Sequence, residues 1–184
     1  MAGTTCTNTP TSPPTERPVD DVATRLLDLH GGDPFATLRA QSEVHQRSHE
    51  CGLHNAGAQV MHHVAHIAKV ASARHVLDLG CGIGYSTLWL AHAVGPHGDV
   101  IGIDADLEHV EEARAHAEDF GLADRVRFLA GHTDDVLPAL DGPFDLVHDD
   151  AWFARRPDHL DIAVALLLPG GVLTMANWFL LVDA

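Results

Sequence analysis

Three glycines at alternate positions, Gly80, Gly82 and Gly84, join an apolar strand pattern to an amphipathic helical run. The whole segment, His75–Ala91, reads HVLDLGCGIGYSTLWLA. Because glycine has no Cβ, the chain can turn sharply here and a ligand can approach the backbone closely. The helix after the turn presents unpaired N–H groups and the positive end of its dipole. The segment therefore predicts strand, tight turn and helix, with a binding site for a ligand that carries an anionic or hydrogen-bond-accepting group.

The spacing of the glycines separates two classes of ligand. The dinucleotide fingerprint G-x-G-x-x-G needs a small third residue, where the helix packs on the strand, and this chain has Tyr85 there. Asp78 ends the strand instead, and a carboxylate beside the turn favours a ligand with an ammonium group and repels a pyrophosphate. The pattern Asp78-x-Gly80-x-Gly82-x-Gly84 resembles the first motif of class I S-adenosylmethionine-dependent methyltransferases.

Composition limits the remaining possibilities. The 184 residues are 46% hydrophobic, which fits one globular domain, and no apolar run is long enough for a membrane span or a signal peptide. Cys6, Cys51 and Cys81 lack metal-ligand spacing, so we expect a reducing, cytoplasmic location. The net charge of −15 repels phosphate backbones, so we expect no nucleic-acid partner.

The chain divides into three parts. Residues 1–20 are rich in proline and poor in large apolar side chains, which predicts a disordered tail. Residues 21–57 contain two helical patterns, broken at residues 31–34, and then a loop, and they predict an N-terminal helical cap. Residues 58–184 predict the α/β domain that binds the ligand, and the cap joins it in one globular unit.

Strands and helices alternate along the third part, and this order requires parallel crossovers. The predicted fold is therefore α/β, with a doubly wound, mainly parallel sheet. The predicted strands cover residues 76–79, 99–104, 125–130, 144–147 and 172–176. The predicted helices cover residues 58–71, a run that includes 88–91, and residues 107–120, 135–140 and 157–168.

Polar residues follow every predicted strand, and the carboxyl ends of parallel strands meet at one edge of the sheet. Asp104 ends the second strand, where nucleotide-binding sheets place the acid that takes the ribose hydroxyls. Asp104 or Asp106 can instead cap the following helix, and because both are present one can cap while the other binds. The residues expected at this edge are Asp78, Asp104, Thr133, Asp134, Asp149, Asp150 and Asn177.

Fifteen histidines are scattered along the chain, and we expect most of them to be solvated or half-buried. His62 and His66 are four residues apart on a predicted helix, which is adequate spacing for two metal ligands. No third ligand lies nearby in the sequence, so we expect both on the outer face of that helix. Its apolar positions, which follow a 3.6-residue period, are Val60, Met61, Val64, Ile67, Ala68 and Val70.

Residues 50–178 resemble the catechol and caffeoyl-CoA type of O-methyltransferase. The segments that carry the resemblance are LDLGCGIGYSTLWLA, GIDAD, GLADRVRFLAGHTDDVLPAL, GPFDLVHDDAW and LLLPGGVLTMAN. The resemblance implies a Rossmann-like methyltransferase fold, S-adenosylmethionine as the cofactor, and methyl transfer to a hydroxyl of a small-molecule substrate. The lack of a long apolar run predicts that there is no membrane partner.

The resemblance also implies a role for each matching residue at the cofactor. Tyr85 and Ser86 would lie near its methionine end, Asp104 would hold the ribose, and Trp152 would stack on the adenine. For Trp152, plain core packing is the alternative interpretation. Leu53 would help to close the site. The full set of implied cofactor-binding residues is Leu53, Asp78, Gly80, Gly82, Tyr85, Ser86, Asp104, Ala105, Thr133, Asp134, Asp150 and Trp152.

A divalent cation is held, in the family that the chain resembles, by an aspartate after the fourth strand and an Asp-Asn pair after the fifth, and a lysine assists deprotonation. Asp150 and Asn177 match two of these ligands, whereas Ala176 replaces the second acid and Phe153 replaces the lysine. Two oxygen donors make a weak Mg²⁺ site, so the requirement for a metal is left open.

Transfer to a phenolic hydroxyl needs a base, because forming the anion at pH 7 from a group of pKa near 10 costs roughly 4 kcal/mol. We expect in-line methyl transfer in a site that supplies positioning and desolvation. Asp150 is the candidate base with the best position, and His148 has the better unperturbed pKa. His132 and Asp149 are the other local candidates.

Three other functions are compatible with parts of this pattern. A methyltransferase of the same fold could act on nitrogen or carbon, which needs no hydroxyl activation. A cofactor-binding subunit without catalysis of its own is the second alternative, and an NAD-dependent oxidoreductase, disfavoured by Tyr85, is the third.

An apolar tail, residues 178–184, follows the fifth predicted strand. The family that the chain resembles continues there into an antiparallel pair of strands, and we expect no counterpart of this pair in the present sequence. Because a bare apolar edge associates readily, we expect that the tail pairs with a second subunit in a homodimer or that the chain is shorter than the intact enzyme.

Overall fold

The structure is a computed structural model that describes residues 28, 31–49, 56–151 and 157–176. Within these residues, helices and strands alternate after two N-terminal helices. The elements are α1 (Ala36–His49), α2 (Ala58–Val70), β1 (His75–Leu79), α3 (Tyr85–Val94), β2 (Asp99–Asp104), α4 (Leu107–Asp119), β3 (Val126–Ala130), α5 (Thr133–Val136), β4 (Phe144–Asp149), α6 (Pro157–Ala165) and β5 (Leu167–Met175).

The five described strands form one parallel sheet in the order β3-β2-β1-β4-β5. This arrangement confirms the predicted fold class. Strand β1 lies at the centre and is buried along all of its length except His75, as expected for a strand covered on both faces. The strand order reverses between β1 and β4, and such a switch point leaves a crevice at the carboxyl ends of the strands. The fold therefore places the ligand crevice beside the glycine turn.

Helices cover both faces of the sheet. Helices α2, α3 and α4 pack on one face, where Met61, Leu88 and Val110 are buried. The segments around α5 and α6 cover the other face with Leu137 and Ala163. Helix α3 is apolar on nearly all sides and buried for most of its length, because it lies between α2 and the sheet. The start of α3 is therefore held firmly against β1.

Helix α2 differs from the predicted pattern. Val60, Ile67 and Val70 are exposed although they belong to the predicted apolar stripe. Alanines take their place in the interface, because small side chains let α2 approach α3 closely. His66 is exposed and His62 is half-buried, which agrees with the predicted outer position for His66. The buried residues of α2 are Ala58, Met61, Val64, Ala65 and Ala68.

The last helix and strand also differ in their bounds from the prediction. Helix α6 ends at Ala165 and β5 begins at Leu167, before the predicted turn at residues 169–171. Pairing of Leu167 with Phe144 recruits this segment into the sheet, with a register shift before Leu146. The short predicted helix at 135–140 begins earlier, at Thr133, and ends in a 3₁₀ turn.

Some predicted features lie outside the described residues. They are the tail at residues 1–20 and the apolar segment at 178–184. Among the helices that the structure does describe, none is both long and apolar enough to cross a bilayer.

Replacing Leu90 with alanine should destabilise the protein by about 2–5 kcal/mol, because its side chain is fully buried and its loss leaves a cavity. The matched control is Leu107→Ala, since Leu107 is 58% exposed and its truncation should change stability by less than about 0.5 kcal/mol. Urea denaturation followed by circular dichroism measures both. Equal losses in the two variants would contradict the core described above.

Candidate active site

The glycine turn between β1 and α3 adopts a left-handed backbone. Gly80, Gly82 and Gly84 have φ values of +83°, +50° and +96°, a region in which other residues are strained. The N–H of Gly80 donates to the carbonyl of Ile103 at 2.8 Å, which ties the turn to β2. A Cβ on Gly80 would lie 2.9 Å from Ala151, so no side chain fits there. The turn is therefore closely packed: Gly80 is partly buried, and residues 81–84 are buried.

Asp78 lies beneath the turn and is completely buried. Its Oδ2 accepts hydrogen bonds from the hydroxyls of Ser86 and Thr87, which attaches the first turn of α3 to β1. Burial raises the pKa of Asp78 above its ordinary value, although these two hydroxyls oppose the shift. The predicted contact with the ligand would require this enclosure to open. In this structure Asp78 instead supports the turn, because α3 brings two hydroxyls onto the carboxylate.

His148 is the neighbour of Asp78 on β4, where the two residues pair in register. The ring is completely buried, and its Nδ1 lies 2.9 Å from the hydroxyl of Thr174. Burial lowers the pKa of His148, although the charge of Asp78 opposes the shift, so the ring is largely neutral at pH 7. The role of His148 as a catalytic base stays a prediction, and the enclosure of its ring disfavours contact with an acceptor.

Asp104 ends β2 beside the glycine turn. Its carboxylate accepts N–H groups from Gly82 and Asp106, both at 2.9 Å, and its side chain is 16% exposed. Asp106 caps α4 by accepting the N–H of Glu108 at 2.8 Å. Asp106 therefore caps the helix and Asp104 bonds the turn, whereas the ribose role of Asp104 stays a prediction. Ala105, between them, is exposed.

Thr133, Asp134 and Asp150 reach the same edge from the other strands. Thr133 and Asp134 open α5 directly after β3 and are partly buried. Asp150 follows β4, and its N–H donates to the carbonyl of Leu79 at 2.9 Å. The structure thus brings these predicted site residues to the carboxyl edge that carries the glycine turn. Their contacts with a cofactor stay predictions.

Three predicted site residues, Leu53, Trp152 and Asn177, lie outside the described residues. Ala176 is described, and its N–H donates to the carbonyl of Asp149 at 2.8 Å, so it follows β5 beside the end of β4. Its methyl group offers no donor to a metal ion. Within the described ranges, no three His, Cys, Asp or Glu side chains are arranged to hold a metal, including the helix that carries His62 and His66. The described residues therefore do not fit the two-acid cation site of the family that the chain resembles.

Asp149 is a buried acid at the candidate site, and its burial could not be predicted from the sequence. It is 4% exposed and lies on the opposite face of β4 from His148. Its Oδ1 accepts the N–H of Ala151 at 3.0 Å. Burial raises the pKa of Asp149 to about 7, and the charge of Asp78 adds to the shift. A carboxyl group with this pKa can hold or release a proton near neutral pH. Alternation along β4 indicates only that His148 and Asp149 face opposite ways.

Tyr85 begins α3, and its side chain turns toward the N-terminal helix. The hydroxyl donates to Oδ2 of Asp33 at 2.9 Å, and Nε of Arg39 lies 3.1 Å from the same oxygen. Burial raises the pKa of Tyr85, so the phenol stays protonated and can act as the donor. This link between α1 and the glycine turn is absent from the sequence prediction, because nothing local to Asp33 indicates its partner. The predicted position of Tyr85 near the methionine end of a cofactor stays a prediction.

Replacing Asp149 with asparagine should remove part of the pH dependence of stability. The folded-state pKa of about 7 lies above the ordinary 3.8, so the neutral carboxyl stabilises the fold fully below pH 4, and this stabilisation is lost as the pH rises toward 7. Asparagine stays neutral and can still accept from Ala151. Relative to the wild type, Asp149→Asn should therefore gain roughly 2–4 kcal/mol between pH 4 and pH 8.

Thermal denaturation across this pH range measures the difference. Asp141→Asn, at an exposed position, is the control for the substitution itself. A constant difference between wild type and Asp149→Asn at all pH values would contradict the raised pKa.

Comparison with known proteins identifies related sequences. Residues 71–180 match the family model of a methyltransferase domain. The catechol O-methyltransferase of Mycobacterium tuberculosis is 38% identical over 60% of this chain and 51% of its own length. The catechol O-methyltransferase of Niastella koreensis is 31% identical over 60% of this chain and 52% of its own length. The chain therefore spans about half the length of the curated relatives that it matches.

Solved structures resemble a larger share of the chain. The O-methyltransferase TomG from Streptomyces achromogenes, in complex with SAM, covers 87% of this chain and 73% of its own, with a TM-score of 0.76 and 29% identity. An O-methyltransferase from Bacillus cereus, in complex with SAH, covers 83% of this chain and 70% of its own, with a TM-score of 0.70 and 27% identity.

Proposed function

The chain belongs to the methyltransferase-domain family, and on that premise we propose that it transfers the methyl group of S-adenosylmethionine to a hydroxyl oxygen of a small molecule. Relatives named as catechol O-methyltransferases, and similar structures that contain SAM or SAH, support the reaction class and the cofactor. The substrate is a small molecule and not a nucleic acid, because the net charge of −15 repels phosphate backbones.

The observation that carries this proposal is the position of Asp104 over the glycine turn. The 2.9 Å hydrogen bond from Gly82 holds this carboxylate beside the turn, and the carboxylate, whose side chain is 16% exposed, can accept a ribose hydroxyl. A pyrophosphate would meet the negative charge of Asp104 there. Tyr85 also fills the place where a dinucleotide-binding turn needs a small residue. The site thus favours a nucleoside that has no phosphate.

The residues of the chain position the reactants for direct transfer. When bound, S-adenosylmethionine supplies an electrophilic methyl group on a sulfonium. The N-terminal end of α3 offers partial positive charge to the methionine carboxylate, and Gly80 lets that end come close to the backbone. Asp150 lies at the rim and is the proposed contact for the acceptor. The chain acts mainly by orientation and exclusion of water.

The acceptor must lose a proton with little help from a metal. Ala176 stands where the family that the chain resembles has an acid, and Phe153 where it has a lysine. We propose that Asp150 accepts the proton of the acceptor hydroxyl. Asp149 is a neighbouring carboxyl group, and its pKa of about 7 allows it to take up and release a proton near neutral pH. Because deprotonating an ordinary phenol costs roughly 4 kcal/mol at pH 7, the site suits a hydroxyl more acidic than an ordinary phenol.

The same two replacements favour one second candidate, methyl transfer to a nitrogen or carbon that needs no hydroxyl activation. Two further properties belong to the proposal: a cytoplasmic location, supported by the absence of disulfide spacing among three cysteines, and a homodimer, supported by the apolar composition of residues 178–184.

Methyl transfer from S-adenosylmethionine to catechol should persist in EDTA and change less than about twofold on addition of Mg²⁺, because Ala176 replaces the acid that would complete the cation site. In Ala176→Asp, Mg²⁺ should stimulate the reaction several-fold. Ala165→Asp, at an exposed position on α6, is the matched control and should show no stimulation. Wild-type activity that EDTA abolishes would contradict the metal-independent site.

The same assay separates the proposed functions when an aromatic amine replaces catechol. Transfer to the amine alone would support the nitrogen acceptor. Binding of S-adenosylhomocysteine without transfer to either acceptor would support a non-catalytic subunit.

Replacing Asp104 with asparagine should weaken the binding of S-adenosylhomocysteine at least roughly 10-fold, because charged acceptors form the stronger hydrogen bonds to ribose hydroxyls. Asp99→Asn is the matched control, since Asp99 begins the same strand and its side chain is 53% exposed. Isothermal titration calorimetry measures both affinities. Equal affinities in the two variants would show that Asp104 does not hold the ribose.

A further inference from the structure

Behind Asp104 lies His109, a buried residue in the first turn of α4. It is 3% exposed, and its Nδ1 is 3.3 Å from Oδ1 of Asp104. An ionised carboxylate only accepts hydrogen bonds, so Nδ1 must carry the proton in this contact. The ring therefore adds a third donor to the carboxylate, after the N–H groups of Gly82 and Asp106.

The other nitrogen of this ring makes no comparable hydrogen bond. Nε2 of His109 is buried and has no hydrogen-bond partner among the residues that the structure describes. The nearest charged atom that faces it is Oδ2 of Asp106, at 3.8 Å. Burial of a histidine ring in this way is favourable only if the hydrogen bond at Nδ1 compensates for the cost of removing the ring from water. This asymmetry identifies Nδ1 as the functional end of the ring.

A second histidine holds the ring of His109 from the outside. The ring of His45, on α1, packs edge-to-face against it, with centroids 5.0 Å apart and planes at 75°. Nε2 of His45 lies 3.2 Å from Oε1 of Glu112, one turn further along α4. The titratable groups that face His109 are thus Asp104, Asp106 and His45, and Glu112 lies behind His45. The ring contact with His45 constrains the plane of the His109 ring, and hence the direction of its Nδ1–H bond.

We infer that His109 is a positioning residue for the cofactor: it helps to hold the Asp104 carboxylate in the orientation that leaves one acceptor position free for a ribose hydroxyl. A carboxylate has about four acceptor positions, and the three protein donors leave one of them, on Oδ2, for a ribose hydroxyl. Without the ring, the N–H groups of Gly82 and Asp106 still hold the carboxylate, but one of its three donors is lost, so that more freedom must be removed when the cofactor binds. The inference rests on the proposed function, because it assumes a nucleoside at Asp104.

Two conservative substitutions separate the roles of the two ring nitrogens. The amide nitrogen of asparagine can take the place of Nδ1, whereas that of glutamine reaches the place of Nε2. His109→Asn should therefore bind S-adenosylhomocysteine within about twofold of wild type, while His109→Gln and His109→Ala should bind roughly 3- to 10-fold more weakly. If His109 acted only through packing, the affinities of the asparagine and glutamine variants would not differ in this order.

Calorimetric titration with S-adenosylhomocysteine at pH 7.5 measures the three affinities, and circular dichroism melting verifies that each variant is folded. His63→Asn and His63→Gln are the controls, because His63 is exposed and bonds only the carbonyl of Gln59 in its own helix, among the described contacts. Wild-type affinity in His109→Ala, or equal losses of affinity in the asparagine and glutamine variants, would overturn this inference but not the proposed function. If wild-type protein does not bind the ligand at all, the proposed function fails and the inference fails with it.

Discussion

The turn from β1 into α3 determines the geometry of the whole binding edge. Three glycines in left-handed conformations let the chain reverse within five residues, and no other residue type tolerates that path at Gly80 without meeting Ala151. The buried carboxylate of Asp78 then attaches α3 to the end of β1 through two hydroxyls. Once this turn is fixed, the backbone of Gly82 orients Asp104 on the neighbouring strand.

The titratable side chains at the carboxyl edge of the sheet form two layers with different roles. The inner layer, Asp78 and His148, is enclosed and maintains the joint between β1, β4 and α3. The outer layer, Asp104 and Asp150, lies at the rim, where a ligand can reach it. Asp149 is also enclosed, with an exposed fraction of 4% and a pKa of about 7. This arrangement lets a strongly acidic chain keep several carboxylates close together. Each enclosed carboxylate either accepts hydrogen bonds from the protein or can hold a proton, which reduces the cost of its burial.

Local patterns predict much of this fold. The bounds of β2 are those expected from DVIGID, and the cap at Asp106 follows from its place before the apolar positions of α4. Partners distant in the sequence could not be predicted: the contact of Tyr85 with Asp33, and that of Asp78 with His148, depend on tertiary packing. Alternation shows which residues share a face of a strand, but burial of that face is decided by helices from elsewhere in the chain.

A crystal structure of the protein with S-adenosylhomocysteine tests the central claim most directly, because the claim concerns where one ligand lies. The account predicts a ribose hydroxyl within hydrogen-bond distance of the Asp104 carboxylate and the methionine end of the ligand over residues 80–86. Density for the ligand at another place, or an Asp104 carboxylate that has no contact with the ribose, would contradict it.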